Sequence, residues 1–196
     1  MPERANGSAS VPIEQVRAEV TALNMFVGSY PPRIASEAER ASVYEQWLKA
    51  LQHAWLIEAI EPESESTLAL LSEIYRQGHN LDVKASGVRA DQTISKCLAA
   101  FPASAACHFS ASYFYLSVNP KFAPKGEASL IRLRELLKPE INLDVERGFV
   151  FAYLYQGRNE EALKQVDYFL TLDSKSEWAH KFREAISSGK ITFKNQ

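Results

Sequence analysis

Histidine is the side chain most often used for acid–base and metal chemistry near neutral pH, and this sequence contains four histidines. His53, His108 and His180 each fall on a predicted helix, where the surrounding pattern favours a structural or solvated role. His108 follows Cys107 directly, but adjacent residues of a helix point in different directions, so this pair could not share a metal without further ligands. We find no such ligands in the sequence.

The fourth histidine belongs to the most suggestive polar cluster, the stretch "GHNLD" that runs from Gly78 to Asp82. In a turn, His79, Asn80 and Asp82 could hold a metal ion or supply a general base. The same Asn and Asp side chains could instead bond to their own backbone and shape a long turn, and we prefer this interpretation. In either case we expect the stretch to be ordered.

Familiar catalytic motifs are missing from the sequence, which has no P-loop, dinucleotide-binding fingerprint, GxSxG or HExxH. Glu160 and Glu161 are paired carboxylates, but they lie near a predicted helix start, where negative charge is stabilised by the helix dipole. The sequence therefore predicts a protein that is not an enzyme, with no catalytic residues, no metal and no cofactor.

The two cysteines, Cys97 and Cys107, do not form a CxxC motif, and two are too few for a disulfide scaffold. We favour the interpretation that they are buried apolar thiols. A single disulfide stays open as an alternative, because the two residues fall at the end of one predicted helix and the start of the next. Such a bridge requires an oxidising compartment. A metal-binding or catalytic role has the least support.

The composition is that of an ordinary soluble protein, with 196 residues, 46% hydrophobic residues and a formal net charge of −2. No run of Lys and Arg indicates a nucleic-acid partner, and no window of about eighteen apolar residues indicates membrane insertion. Residues 1–12 form a polar, flexible leader without the apolar core of a signal peptide, so the compartment is cytoplasmic at face value. The alternative is a periplasmic or exported protein whose signal peptide has been removed.

Almost every segment has the helical period of apolar residues, and no alternating strand pattern is evident. Capping-box patterns, Ser36 with Glu39 and Ser174 with Glu177, mark two helix starts. Gly78 and the prolines are predicted breaks, and Gly189 is a predicted C-cap. The predicted helices are 13–27, a long helix from Ser36 to about Pro62, 65–77, 88–101, 105–118, 126–137, 144–156, 159–172 and 175–187.

The long helix is predicted to bury one apolar face along its length. The residues of this predicted face are Tyr44, Trp47, Leu48, Leu51, Trp55 and Ile60.

A small residue followed twelve positions later by a helix-ending residue recurs along the chain. A small residue early in a helix lets it approach the preceding helix closely, and the later proline or cap lets the chain fold back. The steps are Ala50 to Pro62, Ala90 to Pro102, Ala162 to Ser174 and, slightly shorter, Ala128 to Pro139. One such hairpin cannot bury its apolar face alone, so the pattern predicts stacked copies.

These residues resemble the tetratricopeptide repeat (TPR), a 34-residue helical hairpin. The last copy is most similar, with Tyr153, Gly157 and Ala162 in register, although Val150 and Ser174 stand where a small residue and a proline are expected. The middle copy offers Ser112, Tyr115 and Pro139, and the first copy offers Tyr75, Gly78, Ala90, Cys97 and Pro102. Longer turns after the first helix of both copies depart from the pattern.

The resemblance implies an all-α fold, an α-solenoid of about three TPR-like hairpins with an N-terminal helical extension and a C-terminal capping helix. The implied division is a leader (1–12), an extension that includes a possible degenerate repeat (13–63), a repeat domain (64–187) and a tail (188–196). Small, stand-alone, irregular arrays of this kind are also typical of bacterial proteins.

The resemblance further implies a concave groove lined by the first helix of each hairpin, which would bind a protein or peptide. Aromatic and arginine side chains dominate binding hot spots. Carried over to this sequence, the groove-lining candidates are Tyr75, Arg76, Phe109, Tyr113, Arg147, Phe151 and Tyr155. Leu68 and Ser72 stand where one subtype of the family has the Lys and Asn that grip a partner's C-terminal carboxylate, which argues against that subtype.

The main hypothesis is therefore a non-enzymatic protein-interaction module. The alternatives are a secretion or assembly chaperone that holds a client segment, and, with the least support, a metal-dependent enzyme that uses the "GHNLD" turn. The sequence does not specify the partner or the oligomeric state.

Overall fold

The structure, a computed structural model, describes residues 11–191. Within these residues the protein is all-helical, with nine α-helices, one short 3-10 turn at Pro120–Phe122 and no β-strand. The helices are α1 (Ile13–Val27), α2 (Glu37–Glu58), α3 (Glu65–Asn80), α4 (Ser86–Ala100), α5 (Ala105–Val118), α6 (Ala123–Leu136), α7 (Leu143–Tyr155), α8 (Asn159–Leu172) and α9 (Glu177–Ser187). The predicted all-α fold is confirmed. Most of the predicted leader and part of the predicted tail lie outside the described residues.

The chain divides into two compact units, which we call unit 1 and unit 2, at the bond between Thr93 and Ile94 inside α4. In unit 1, α1 packs against both α2 and α3, and α2 also packs against α3. In unit 2, each helix from α5 to α9 packs against the next, and α5 also contacts α7. Both units are thus built from helices that pair with their neighbours along the chain, as the repeat pattern predicts.

Helix α1 has the predicted bounds, and it ends before the "GSYPPR" segment because prolines disfavour helix at the preceding residue. Its apolar side chains recur at intervals of three or four residues, so they share one face of the helix. This face is at most 3% exposed and consists of Val16, Val20, Leu23 and Val27. Burial of this face against α2 and α3 fixes α1 in unit 1.

Helix α2 begins as predicted, because the Ser36 hydroxyl accepts a hydrogen bond from the backbone N–H of Glu39 at 3.2 Å. The Glu39 carboxylate accepts from the N–H of Ala35 at 2.6 Å, one residue earlier than the usual capping box. The helix is therefore capped in both directions by the predicted pair of residues.

The predicted buried face of α2 is wrong in part. Tyr44 and Trp55 are each 41% exposed and Ile60 is 68% exposed. The buried residues are Val43, Trp47, Ala50, Leu51, Ala54 and Ile57. Because α2 packs against two helices, its buried face includes two alanines that allow close approach, while Tyr44 and Trp55 stay partly exposed.

The predicted helix break at Gly78 is also wrong, because α3 continues to Asn80. Gly78 lies where the helix meets its neighbours: a Cβ at this position would be 2.5 Å from the Trp47 ring and 2.7 Å from the Ser86 hydroxyl. The chain turns after the helix instead, where Asp82 has a left-handed φ of 61°. The glycine is thus required for close packing, and "GHNLD" is mostly helix rather than a long turn.

Three of the four small residues at predicted close approaches are fully buried, namely Ala50, Ala90 and Ala162. Ala128 is exposed, so its predicted role is wrong. Gly126 has that role instead, since a Cβ there would lie 2.8 Å from the Leu116 side chain. The middle hairpin therefore uses a glycine two residues earlier than the pattern predicts.

Two helix-end predictions near the C-terminus have different outcomes. The N-cap of α9 is Ser176, whose hydroxyl accepts from the N–H of Ala179 at 3.4 Å, so the predicted Ser174–Glu177 capping box is wrong. Gly189 follows the C-cap Ser188 with a φ of 69°, the left-handed conformation that commonly ends helices.

The core of unit 2 includes two apolar clusters at successive helix pairs. One cluster joins α6 to α7 and contains Leu130, Leu133, Val145, Phe149 and Ala152. The other joins α7, α8 and α9 and contains Val150, Leu154, Ala162, Val166, Phe169, Ala179 and Ile186. Helix α7 contributes to both clusters, so it is the central helix of the unit.

Candidate functional site

Three of the four histidines make polar contacts with nearby carboxylate or carbonyl groups. His53 contacts the Glu19 carboxylate at 2.9 Å. His108 and His180 each contact a backbone carbonyl in the turn before their helix, at 3.1 and 3.0 Å. Among residues 11–191, no three His, Cys, Asp or Glu side chains lie together as a potential metal-binding group. The structural role favoured for these residues fits their contacts.

Asn80 and His79 of the "GHNLD" stretch also contact neighbouring parts of unit 1. The Asn80 side chain is fully buried, and its amide N–H donates to the backbone carbonyl of Val27 at 2.9 Å. His79 stacks on the exposed Tyr30 ring, with 6.3 Å between ring centroids. The preferred interpretation, that Asn80 shapes a turn, is wrong, because Asn80 belongs to α3 and holds the end of α1.

Two of the predicted groove residues, Tyr75 and Arg76, are buried in unit 1 rather than presented to a ligand. Tyr75 is 8% exposed, and its hydroxyl accepts a hydrogen bond from the Trp55 indole N–H at 3.2 Å. Arg76 is 3% exposed and ion-pairs with Glu73, at 2.8 Å between Nε and Oε2. The prediction that these two residues line an open groove is corrected.

The Arg76 guanidinium connects α3 to the end of α1. It donates to the backbone carbonyl of Gly28 at 2.9 Å and to the side-chain oxygen of Asn24 at 2.9 Å. The fully buried Gln77 adds a bond from its amide to the carbonyl of Val20 at 2.8 Å. The carbonyl of Gly28, the C-cap of α1, has no intrahelical partner, so the bond from Arg76 satisfies a group that burial would otherwise penalise.

The ion pair between Arg76 and Glu73 affects the pKa of Glu73. Burial raises the pKa of this carboxyl, but the Arg76 charge and hydrogen bonds from Arg76 and Asn24 outweigh burial and leave the pKa below its ordinary value. The carboxylate is therefore the stable form in the folded protein, and the ion pair is retained at neutral pH.

The other five predicted groove residues lie in unit 2, on the first helices of two hairpins. We group them with two aromatic residues of α9 under the name aromatic face. Its members are Phe109 and Tyr113 of α5, Arg147, Phe151 and Tyr155 of α7, and Trp178 and Phe182 of α9. Of these, Tyr113 is the most exposed aromatic residue, at 46%.

Ring contacts join members of the aromatic face in two groups, one within α5 and one between α7 and α9. On α5, Phe109 and Tyr113 stack at 6.5 Å between centroids. On α7, Phe151 lies 6.2 Å from Tyr155. Phe151 also contacts α9, at 5.9 Å from Trp178 and, edge to face, at 5.4 Å from Phe182. Because the rings brace one another, each is held in one orientation without being fully buried.

Arg147 places a cation within this surface. Its guanidinium lies 5.1 Å from the Trp178 ring centroid and 3.4 Å from the Asp144 carboxylate. The side chain of Arg147 keeps 43% of its surface exposed. It can therefore donate hydrogen bonds to a ligand while the Trp178 ring fixes its plane.

The inner edge of the aromatic face is anchored in the core. Phe109 packs on the cluster that joins α6 to α7. Burial raises the pKa of the Tyr155 hydroxyl, so this side chain is neutral over the physiological pH range. The face therefore combines anchored rings with exposed edges, the arrangement that hot-spot residues share.

Sequence reasoning missed the contribution of α9. Trp178 and Phe182 are four residues apart on a helix, a spacing that places both on one side. It also missed that residues 97–120 contain no Asp, Glu, Lys or Arg, so α5 carries no charged side chain. Either signal would have drawn attention to this surface.

Cys97 at the end of α4 and Cys107 in the first turn of α5 form a disulfide, with Cα atoms 5.6 Å apart. Both residues are fully buried. The Ser104 hydroxyl caps α5 by accepting from the N–H of Cys107 at 3.0 Å. The bridge therefore ties the start of α5, the helix of Phe109 and Tyr113, to the helix before it.

None of the helices in the described part of the chain has the length and apolar character needed to cross a membrane.

Comparison with known proteins gives information about the fold only. The sequence matches no protein-family model and no curated protein. The structure is similar to the crystal structure of a thermophilic TPR protein of Thermus thermophilus, with a TM-score of 0.59 and 19% sequence identity. The similarity covers 90% of this chain and 92% of the other. The fold is therefore TPR-like, as the sequence resemblance predicts.

Proposed function

We propose that this chain is a non-enzymatic interaction module that binds a protein or peptide segment on the aromatic face. The observation that supports the proposal is the partial exposure of aromatic rings on three helices of unit 2, with α7 and α9 joined by ring contacts and by Arg147 over Trp178. Rings held in place by one another lose little conformational freedom on binding, so most of the free energy from their burial is retained.

The chemistry of the face defines the kind of ligand. Burial of exposed aromatic surface contributes about 25 cal/mol per Å². Helix α5 offers no charged group, so a ligand on that side is bound by apolar contact and by the Tyr113 hydroxyl. Arg147 offers hydrogen-bond donors on the α7 side. The face thus suits a segment with two or three apolar side chains and a nearby backbone carbonyl or carboxylate.

The test compares the intact protein with a Phe151→Ala/Tyr155→Ala variant in affinity capture from the native cell, followed by mass spectrometry. Tyr168→Ala is the matched control, because Tyr168 is also a partly exposed aromatic residue, at 41%, and is not part of the aromatic face. Circular dichroism and thermal unfolding establish that each variant is folded.

We expect a partner that the intact protein and the Tyr168→Ala variant retain and that the Phe151→Ala/Tyr155→Ala variant loses. The partner should then bind the purified protein directly, with an affinity that falls at least tenfold in the same variant. Equal retention by all three proteins would contradict the proposal. A partner that is unfolded when free and kept soluble by the complex would identify the module as a chaperone.

We also propose that the chain folds in an oxidising compartment. The supporting observation is the buried disulfide between Cys97 and Cys107, since such bridges persist outside the reducing cytosol. The check is to alkylate the protein with iodoacetamide under denaturing conditions, directly after purification from its native source, and to measure its mass. The absence of alkylation without reductant supports the proposal, and alkylation of both cysteines contradicts it.

A further inference from the structure

An exposed apolar surface lies at the C-terminal end of α2, outside the aromatic face. Trp55, Leu56 and Ile60, which we call the α2 patch, are 41%, 54% and 68% exposed. Leu56 and Ile60 are four residues apart, so they lie on the same side of the final turn. Apolar side chains this exposed and this close together differ from the single exposed hydrophobic residues common on soluble proteins.

The α2 patch has a defined shape. The Trp55 indole N–H donates to the buried Tyr75 hydroxyl at 3.2 Å, which fixes the ring against α3. The backbone N–H groups of Ile60 and Glu61 both donate to the carbonyl of Ile57, at 3.0 and 2.8 Å. Hydrogen bonds thus fix the backbone of the final turn, so the patch has a defined conformation without a ligand.

The charged residues beside the final turn of α2 are acidic. Glu58 lies between Leu56 and Ile60 in sequence, and the exposed Glu61 follows Ile60 directly. The Arg89 guanidinium lies 5.8 Å from the centroid of the Tyr75 ring, whose hydroxyl accepts the hydrogen bond from Trp55. The acidic charge is therefore local to the Leu56 and Ile60 end of the patch.

We propose that the α2 patch is a docking site for a basic amphipathic helix of another protein, a segment with an apolar stripe flanked by lysine or arginine. Apolar contact with Leu56, Ile60 and the exposed edge of Trp55 supplies affinity. The glutamates favour a cationic segment and repel an acidic one, because complementary charge raises both association rate and selectivity. This site belongs to unit 1 and uses no residue of the aromatic face, so it is independent of the function proposed above.

The experiment uses the full chain and two synthetic helical peptides of 18 residues (about five turns) with the same leucine stripe, one with lysine and the other with glutamate at every polar position. Binding is measured by fluorescence anisotropy of the labelled peptide at low and at raised salt. The test variant is Leu56→Ser/Ile60→Ser. The matched control is Met25→Ser, which removes an apolar side chain of unit 1 that is 67% exposed and outside the patch.

We expect the lysine peptide to bind the intact chain and the Met25→Ser variant equally, and to lose at least tenfold in affinity with Leu56→Ser/Ile60→Ser. Binding should weaken as salt rises and as Glu58 and Glu61 are replaced by glutamine, and the glutamate peptide should not bind. Equal binding of both peptides would overturn the proposal, as would equal binding to all variants. Sedimentation of the chain alone completes the test: a dimer abolished by Leu56→Ser/Ile60→Ser would make a second copy the occupant and also overturn it.

Discussion

Two helix contacts, one in each unit, use different chemistry. In unit 1, buried polar side chains of α3 donate to backbone carbonyls along the second half of α1, with Arg76, Gln77 and Asn80 as donors. In unit 2, aromatic rings join α7 and α9 by contact with each other. The polar contact depends on the fixed geometry of each donor and acceptor, whereas the rings keep contact while partly exposed. Similar helical hairpins can therefore be closed in one region and open to ligands in another.

The sharpest test of this difference is removal of one arginine from each unit, Arg76 and Arg147. Arg76→Ala leaves the largely buried Glu73 carboxylate, whose side chain is 22% exposed, without its cation, and we expect a loss of about 2–3 kcal/mol of unfolding free energy. Arg147→Ala removes a half-exposed cation above an aromatic ring, and about 1 kcal/mol or less is expected. Urea unfolding measures both values.

Replacement of both members of the unit 1 pair, Glu73→Met with Arg76→Met, is the control for this test. Apolar side chains of similar size remove the buried charge, so the double variant should be more stable than Arg76→Ala. Equal losses for Arg76→Ala and Arg147→Ala would show that the two units do not differ in this way.

Replacement of two helical glycines by alanine compares a site whose neighbouring side chain is fixed with one whose neighbouring side chain can move. Gly78→Ala should cost about 1–3 kcal/mol despite the better helix propensity of alanine, because the new Cβ meets the Trp47 ring. That ring is held by a 2.8 Å hydrogen bond to the carbonyl of Ile74. Gly148→Ala in unit 2 meets only the methyl ends of Leu130, so we expect a change within about 1 kcal/mol. Thermal unfolding of both variants measures the two losses of stability. A larger loss for Gly148→Ala than for Gly78→Ala would contradict this prediction.

Acid should affect unit 1 through Glu73. Since the folded protein lowers the pKa of Glu73, its ionised form contributes stability that is present above the ordinary pKa of 4.5 and is lost as pH falls below that value. Glu73→Gln should therefore be less stable than the intact protein at pH 7, and the gap should narrow toward pH 3. Urea midpoints measured across this range provide the check, and a constant gap would contradict the assignment.

The smallest effect on stability is expected at the most exposed ring of the aromatic face. Tyr113→Ala should change the unfolding free energy by less than about 1 kcal/mol, because 46% of the residue is already exposed. Phe109→Ala should cost more, since that ring packs on the core cluster of α6 and α7. A larger loss for Tyr113→Ala in urea unfolding would place Tyr113 among the packing residues rather than the binding residues.

Much of the fold could be predicted from the sequence because helix periodicity and helix ends are local signals. Helices α1, α5 and α8 begin and end at the predicted residues. The errors arise where a tertiary contact, rather than the local sequence, determines where a helix ends or which residue is buried. Gly78 resembles a helix break in sequence, but its missing side chain makes room for the Trp47 ring, a partner 31 positions earlier in the chain.

The same reason explains why the sequence failed to predict the burial of the two unit 1 candidates, Tyr75 and Arg76. Position in the repeat predicts which side of a first helix a residue occupies, and this placed Phe151 and Tyr155 together. It does not predict that another helix covers that side. Arg76 occupies the predicted position, yet the Asn24 side chain and the Gly28 carbonyl of the α1 region already bind it.

The charge-free stretch that contains the disulfide has a practical consequence for peptide mapping. Trypsin cleaves after lysine and arginine, and no such residue lies between Lys96 and Lys121. Both cysteines therefore belong to one tryptic fragment, Cys97–Lys121, and the bridge is a loop within that fragment rather than a link between two. The oxidised fragment is lighter than the reduced one by two hydrogen atoms, so a single mass reports the oxidation state of the hairpin.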